Sequence, residues 1–172
     1  MLSYISSEAL DSVKLADEWK HTCNYIDIIK MRYMDDIIFE TEVSAKLMDI
    51  EIPKLVIQPL VENAVKYATD KVPVWRITIR LKQEGERWLV SVMDNGNGFQ
   101  EEKIQQLMDT MKRIEESGDI PSLSLDGMGL LNIYLRMRFF YKDSFMFHIE
   151  NKPEQGAEVI IGGLIKRGKK TD

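Results

Sequence analysis

The stretch IPKLVIQPLVENAVKYA, residues 52–68, places polar side chains on a helix whose other residues are directed into a core. Its apolar residues recur at helical spacing, and Pro59 fits the first turn, where a missing N–H leaves no hydrogen bond unmade. We therefore predict a helix over residues 59–68. Residues three and four positions apart share a helix face, so this helix brings four side chains together: Glu62, Asn63, Lys66 and Tyr67.

Three of these side chains have chemistry that suits a phosphorylated ligand. Asn63 can offer an amide oxygen to a hard cation such as Mg²⁺. Lys66 can offer a point charge to phosphate, and Tyr67 a flat ring to a base. A solvated polar face is the alternative interpretation, although the apolar residues between them show that the helix is mainly core-directed.

A second motif, DNGNGF at residues 94–99, follows a predicted β-hairpin. Residues 76–81 and 88–93 alternate polar and apolar side chains, and the charged turn between them contains Gly85. The hairpin ends in Asp94, and the glycines at 96 and 98 let a backbone approach a ligand closely. A carboxylate accepts hydrogen bonds only, which suits an exocyclic amino group. The alternative is an ordinary turn with glycines at positive φ.

A third motif, DGMGLLN at residues 126–132, precedes another predicted helix. Gly127 and Gly129 lie at its entry, where unpaired N–H groups and the helix dipole attract phosphate. The alternative is a simple helix start with Asp126 as its cap.

The remaining elements follow from periodicity and composition. We predict helices over 12–33, 101–116 and 129–141, a strand over 36–43, a mobile loop over 117–127, and a closing hairpin over 144–165. The expected fold is α+β, a two-layer sandwich in which a mixed, mostly antiparallel sheet of about five strands is covered on one face by helices.

Charge and hydropathy exclude some functions. The net charge is −5, from 23 basic and 28 acidic residues, so we expect no nucleic-acid partner. No apolar run approaches the roughly 20 residues that span a bilayer, and the first residues do not have the pattern of a signal peptide. We predict a cytoplasmic chain that is not embedded in a membrane.

The order and spacing of the three motifs resemble the N, G1 and G2 boxes of the histidine kinase, gyrase, Hsp90 and MutL type of ATPase domain, which has the Bergerat fold. The P-loop pattern GxxxxGK[ST] is absent from the sequence. The resemblance implies ATP and Mg²⁺ as cofactors, with Asn63 as the metal ligand, Lys66 at the phosphates, Tyr67 packed near adenine and Asp94 accepting from its amino group. It also implies a lid over residues 99–126. The remaining residues of the glycine boxes would contact the nucleotide: Gly96, Gly98, Gly127, Met128, Gly129 and Leu130.

Residues 13–165 are more narrowly similar to the LytS/YesM-like branch of sensor histidine kinases. That similarity implies three segments: 1–34 as a remnant of the dimerisation and histidine-phosphotransfer helices, 35–166 as the catalytic ATP-binding domain, and 167–172 as a disordered basic tail. It further implies transfer of the γ-phosphoryl group to a histidine on a helix of the same full-length protein, a downstream response regulator, a homodimeric parent, and membrane anchoring of that parent.

Neither histidine of the chain has the sequence context of that acceptor. We predict that His21 lies on a helix surface and His148 in a strand, so the acceptor lies outside these residues and autophosphorylation by them alone is not expected.

Two positions depart from the family pattern. Ala157 follows Gly156 where a threonine is common, which would weaken nucleotide binding. Pro59 stands where gyrase-type ATPases have a catalytic glutamate, so Glu62 is only a possible catalytic residue. The alternatives are an ATPase clamp and a nucleotide-sensing module of the anti-sigma-factor serine kinase type.

Overall fold

The structure, a computed structural model, describes residues 11–118, 128–154 and 156–167. The strands are β1 (Ser12–Lys14), β2 (Ile37–Val43), β3 (Ile50–Pro53), β4 (Trp75–Glu84), β5 (Arg87–Asp94), β6 (Phe145–Asn151), β7 (Ala157–Leu164) and β8 (Lys166–Arg167). The α-helices are α1 (Leu15–Tyr33), α2 (Ile57–Ala68), α3 (Glu101–Ser117) and α4 (Met128–Tyr141).

Five strands form the main sheet in the order β2-β4-β5-β7-β6. The β2 and β4 strands are parallel, and the other three neighbouring pairs are antiparallel. On β4, Ile77, Ile79 and Leu81 are buried, whereas Arg76 and Arg80 on the other face are exposed. The buried side chains join those of α1, α2 and α4 in one core, so the predicted α+β class with a mostly antiparallel sheet is confirmed.

A second, small sheet was not predicted from the sequence. Its order is β1-β3-β8, and Ser12 pairs with Pro53. Residues 12–14 are therefore strand, and the prediction of a helix from residue 12 is wrong by three residues. The short strand β8 also includes Arg167, which the sequence assigned to the tail; residues 168–172 lie outside the described residues.

The helix α2 begins at Ile57, two residues before the predicted start at Pro59. The buried Glu18 carboxylate of α1 explains the difference, because it accepts hydrogen bonds from the N–H groups of Val56 and Ile57. A carboxylate at this position satisfies donors that a helix leaves unpaired at its start.

Only part of the predicted lid can be assigned a structure. Its first portion is α3, which ends at Gly118 in the left-handed region with φ of 73°. Residues 119–126 lie outside the described residues. Within the described ranges, no helix combines the length and apolar character needed to cross a membrane.

Candidate functional site

A cavity of about 710 Å³ lies between α2, α3 and the first turn of α4. Its size falls within the range of small-molecule sites, which is about 300–1,000 Å³. Among the residues that line it are six predicted from sequence: Glu62, Asn63, Lys66, Tyr67, Gly129 and Leu130. The structure therefore brings part of the first and third motifs to one cavity.

The polar wall of the cavity is the face of α2. Glu62 and Lys66 are exposed, and Asn63 and Tyr67 are half-buried. Gln58, one turn earlier, donates through Nε2 to Glu62 Oε1 at 2.8 Å. This wall combines a carboxylate, an amide and an ammonium group within about one helical turn.

Aromatic side chains form an apolar part of the same cavity. The rings of Tyr67 and Phe99 meet edge to face, with centroids 4.7 Å apart and planes at 64°. Burial raises the pKa of the Tyr67 phenol, and the carboxylates of Asp70 and Asp94 raise it further. Tyr67 is therefore neutral near pH 7, and its ring can pack against a flat apolar group.

Asp94, the predicted acceptor for the adenine amino group, lies near Tyr67 and borders a second cavity. It is 5% exposed at the end of β5 and is not among the residues that line the main cavity. It borders a separate cavity of about 470 Å³, together with residues such as Asn95 and Lys152. Asp94 nevertheless lies close to α2, because a Cβ on Gly96 would lie 2.5 Å from the Tyr67 carbonyl oxygen and 2.8 Å from Oδ1 of Asp94.

Backbone groups hold the Asp94 carboxylate in place. Its Oδ1 accepts from the N–H of Gly96 at 2.7 Å, and the N–H of Ala157 also donates to it. Burial raises the pKa of Asp94 above its ordinary value of 3.8, and these N–H groups partly oppose the increase. Ala157 thus supports the carboxylate through its backbone, which no side-chain replacement removes.

Two glycines permit close approach of the backbone around Asp94. A Cβ at Gly156, where φ is 88°, would lie 1.9 Å from the carbonyl oxygen of Asp94. A Cβ at Gly96 would lie 2.5 Å from the carbonyl oxygen of Tyr67. Larger residues at either position would push β5 away from its neighbours.

Gly98 has a local structural role in the described geometry. Its φ is 76°, and an added Cβ would lie 2.8 Å from Oδ1 of Asn151. That amide brackets the next residue, because Oδ1 accepts from the N–H of Phe99 at 2.8 Å and Nδ2 donates to its carbonyl oxygen at 2.9 Å. Gly98 therefore lets Asn151 fix the aromatic ring of Phe99 at the cavity.

The third motif is described from Met128 onward. Met128 is the first residue of α4, and Gly129 and Leu130 line the cavity. Gly127, also predicted as a site residue, lies outside the described residues.

Sequence analysis missed the wall formed by α3. Five of its polar residues line the cavity: Lys103, Gln106, Asp109, Thr110 and Arg113. All except Asp109 recur at intervals of three and four residues, so they share one helix face, and Asp109 adjoins it. The same periodicity that identified the apolar face of this helix could have identified them.

The structure shows both histidines, neither of which was predicted to accept the phosphoryl group. His21 is exposed on α1, and His148 is exposed on β6, where its Nε2 lies 3.2 Å from Oε2 of Glu150. Neither is among the residues that line the main cavity.

Most of the chain matches a known protein family. The family model described as "Histidine kinase-, DNA gyrase B-, and HSP90-like ATPase" matches residues 48–164. The chain belongs to this family. The resemblance based on the three ordered motifs is thereby confirmed.

Individual relatives of this ATPase domain are sensor kinases. The chain is 30% identical over 149 residues to the sensor protein LytS of Oceanobacillus iheyensis, covering 86% of this chain and 24% of that protein. It is 27% identical over 168 residues to the sensor protein kinase HptS of Staphylococcus aureus, covering 98% and 31%. The chain thus spans roughly a quarter to a third of the length of these relatives.

Solved structures support the fold. The catalytic domain of the histidine kinase ThkA aligns with a TM-score of 0.63 at 17% identity, covering 91% of this chain and 97% of that one. This likeness confirms the predicted architecture of the ATPase domain, including its mixed sheet and its layer of helices.

Proposed function

We propose that this chain binds ATP with Mg²⁺ in the cavity between α2, α3 and α4 and directs the γ-phosphoryl group to a histidine on another segment of the full-length protein. The observation that carries this proposal is the shared cavity: the polar face of α2 lines it opposite the glycine entry to α4. Membership of the ATPase family and the sensor kinase names of the relatives support the same assignment.

The polar wall fits the triphosphate and its metal. Mg²⁺ in nucleotide sites takes one or two protein ligands and completes its shell with phosphate oxygens and water. The Asn63 amide on the cavity wall is suited to be such a ligand, and Glu62 is adjacent to it. Asn63 would hold the metal, which when bound would supply positive charge to stabilise the phosphates during transfer.

Three basic side chains line two walls of the cavity, together with the acidic Glu62 and Asp109. Lys66 lies on α2, and Lys103 and Arg113 lie on α3. Phosphoryl transfer depends mainly on positioning and charge stabilisation, so these three cations would hold the phosphate oxygens. The N–H groups at the start of α4, beside Gly129, would supply further donors.

The base would occupy the apolar part of the site. Tyr67 and Phe99 supply aromatic surface there, and the Asp94 carboxylate can only accept hydrogen bonds when it is ionised. The base would lie between this ring pair and the Asp94 carboxylate, which is close enough to Tyr67 to act on the pKa of its phenol.

The assignment of segments belongs to the same proposal. Residues 35–166 would be the catalytic unit, and 1–34 would continue from helices that carry the phosphorylated histidine and the dimer contacts. A response regulator would receive the phosphoryl group, and the full-length parent would be anchored at a membrane with this domain on its cytoplasmic side.

A transfer experiment tests the proposal. This chain is mixed with a separate polypeptide carrying the histidine helices of the same full-length protein, together with γ-labelled ATP and Mg²⁺. We expect label on that polypeptide that is stable to base and labile to acid, as phosphohistidine is. Label on a serine would favour the serine kinase alternative, and tight nucleotide binding without any transfer would contradict kinase activity.

A further inference from the structure

Glu18 is a buried acid that the proposed chemistry does not use. It lies on α1 and is only 3% exposed. Its carboxylate accepts three consecutive backbone N–H groups: Leu55 to Oε2 at 3.1 Å, Val56 to Oε1 at 2.8 Å, and Ile57 to Oε1 at 3.1 Å. One side chain from α1 therefore holds the whole approach to α2.

The backbone before α2 is shaped to receive this carboxylate. Leu55 has φ of 58°, in the left-handed region that is unfavourable for a side chain with a Cβ. Val56 returns to the right-handed region, with φ of −118° and ψ of −30°. A left-handed residue beside a right-handed one turns successive N–H groups toward a single point and forms an anion-binding nest.

A strained residue persists only where its surroundings determine it. Leu55 is 42% exposed, so burial of its own side chain does not account for its conformation. The hydrogen bond from its N–H group to the Glu18 carboxylate accounts for the conformation. The nest and the carboxylate are thus mutually dependent, and the start of α2 is fixed to α1 through them.

The same face of α1 reaches α2 a second time. Tyr25 lies seven residues after Glu18, which is two helical turns. Burial raises the pKa of the Tyr25 phenol to about 12, and the Glu62 carboxylate raises it in the same direction. The Tyr25 phenol is therefore within electrostatic range of Glu62, which precedes Asn63 on the cavity wall.

We propose that Glu18 is a positioning residue that sets the place of α2, and with it the Asn63 and Lys66 side chains, relative to α3 and α4. This inference rests on the proposed function. Asn63 lies six residues after Ile57, about 9 Å along a rigid helix, so a displacement at the start of α2 is carried to the cavity. Glu18 would act without touching the nucleotide.

Two substitutions remove part or all of the Glu18 contact, and a third is the control. Glu18→Gln keeps one oxygen for the Val56 and Ile57 donors but places an NH₂ group against the Leu55 N–H. Glu18→Ala removes all three acceptors. Thr22→Ala is the matched control, because Thr22 is fully buried on the same helix and its hydroxyl donates only to the Glu18 carbonyl oxygen of α1 itself.

The experiment combines amide exchange with nucleotide titration. Hydrogen exchange in the nucleotide-free protein is measured at Leu55, Val56, Ile57 and along α2, and the Kd for ATP with Mg²⁺ is measured by calorimetry well below each variant's melting temperature. We expect exchange along α2 to accelerate and affinity to fall at least tenfold in Glu18→Ala, with Glu18→Gln intermediate. Thr22→Ala should lower the melting temperature and leave affinity within twofold.

The outcomes separate this inference from the proposed function. Unchanged affinity in both Glu18 variants, or an equal loss in Thr22→Ala, would overturn a positioning role. If Glu18→Ala does not fold, Glu18→Gln decides by the same criteria. Failure of the unsubstituted protein to bind ATP overturns the proposed function instead, and exchange along α2 then decides whether Glu18 fixes the helix.

Discussion

The polar groups assigned to the base and those assigned to the phosphates are held in opposite ways. Asp94 is 5% exposed and receives backbone N–H groups from Gly96 and Ala157. Lys66 on α2 and Arg113 on α3 are exposed side chains on the wall of an open cavity. One part of the site is fixed by the backbone, and the other consists of long side chains in contact with solvent.

This difference indicates separate tasks. A fixed acceptor discriminates between bases, since a ligand that lacks the matching donor leaves a buried polar group unpaired. Exposed cations can follow the phosphates and the metal as they enter, and they lose conformational entropy only on binding. The fixed part is expected to govern selectivity and folding, and the exposed part to govern metal-dependent affinity.

The largest effect should come from breaking the fixed part with Gly156→Ala. A Cβ there would lie 1.9 Å from the Asp94 carbonyl oxygen, at a φ of 88°. Overpacking and left-handed strain together should lower the free energy of unfolding by about 3 kcal/mol, measured by urea denaturation.

Gly85→Ala is the control for this change. Gly85 also has positive φ, of 58°, but an added Cβ meets nothing within 4 Å. Only the strain of the left-handed backbone remains, and it should lower the free energy of unfolding by about 1 kcal/mol. Equal losses for the two variants would show that close packing around Asp94 is not important.

Asp94→Asn should give the next largest effect, on selectivity. Asparagine retains the shape but replaces one acceptor with an NH₂ group. We expect affinity for ATP to fall about a hundredfold, or about 2.7 kcal/mol, with little change for inosine triphosphate, which lacks the amino group. Calorimetric titration with both nucleotides measures this, and a parallel loss for the two would contradict a role in base recognition.

Asn63→Ala sharpens the comparison from the exposed part of the site. Loss of the amide oxygen should weaken binding of ATP with Mg²⁺ about tenfold, or about 1.4 kcal/mol. In the presence of a chelator, the variant and the unsubstituted protein should bind ATP equally. An equal loss with and without the metal would mean that Asn63 does not act as its ligand.

The smallest effect concerns pH. Because burial raises the pKa of Asp94 above 3.8 in the folded state, its protonated form favours folding. The stability it contributes is fully present below pH 3.8 and is lost as pH rises through the folded-state pKa. Unfolding free energies of the unsubstituted protein and Asp94→Asn, compared across this window, should show the difference shrinking as pH rises; a constant difference would contradict the assignment.

Much of the fold could be predicted because its strongest elements are long and periodic. The β4–β5 hairpin, α2 and the β6–β7 hairpin each have apolar spacing that specifies their type. The β1-β3-β8 sheet could not be predicted, since its strands have two to four residues and exist only through pairing between distant segments.

The site was predictable where side chains follow one another on a helix, as Glu62 to Tyr67 do. It was not predictable where the backbone decides. Glu18 lies among charged residues typical of an exposed helix face, and its burial depends on three backbone N–H groups from a distant segment, whose left-handed Leu55 no residue type in the sequence indicates. The close packing of the backbone around Asp94 likewise depends on Gly96 and Gly156 meeting Tyr67 and β5, which are distant in sequence from one or the other.

A crystal structure with Mg²⁺ and a non-hydrolysable ATP analogue tests the central claim most directly. The account predicts the triphosphate between Lys66 and the start of α4, Mg²⁺ about 2.1 Å from Oδ1 of Asn63, and the adenine amino group within hydrogen-bond distance of Asp94. A nucleotide bound elsewhere, or one bound in this cavity with its metal held without Asn63 and its base away from Asp94, would contradict it.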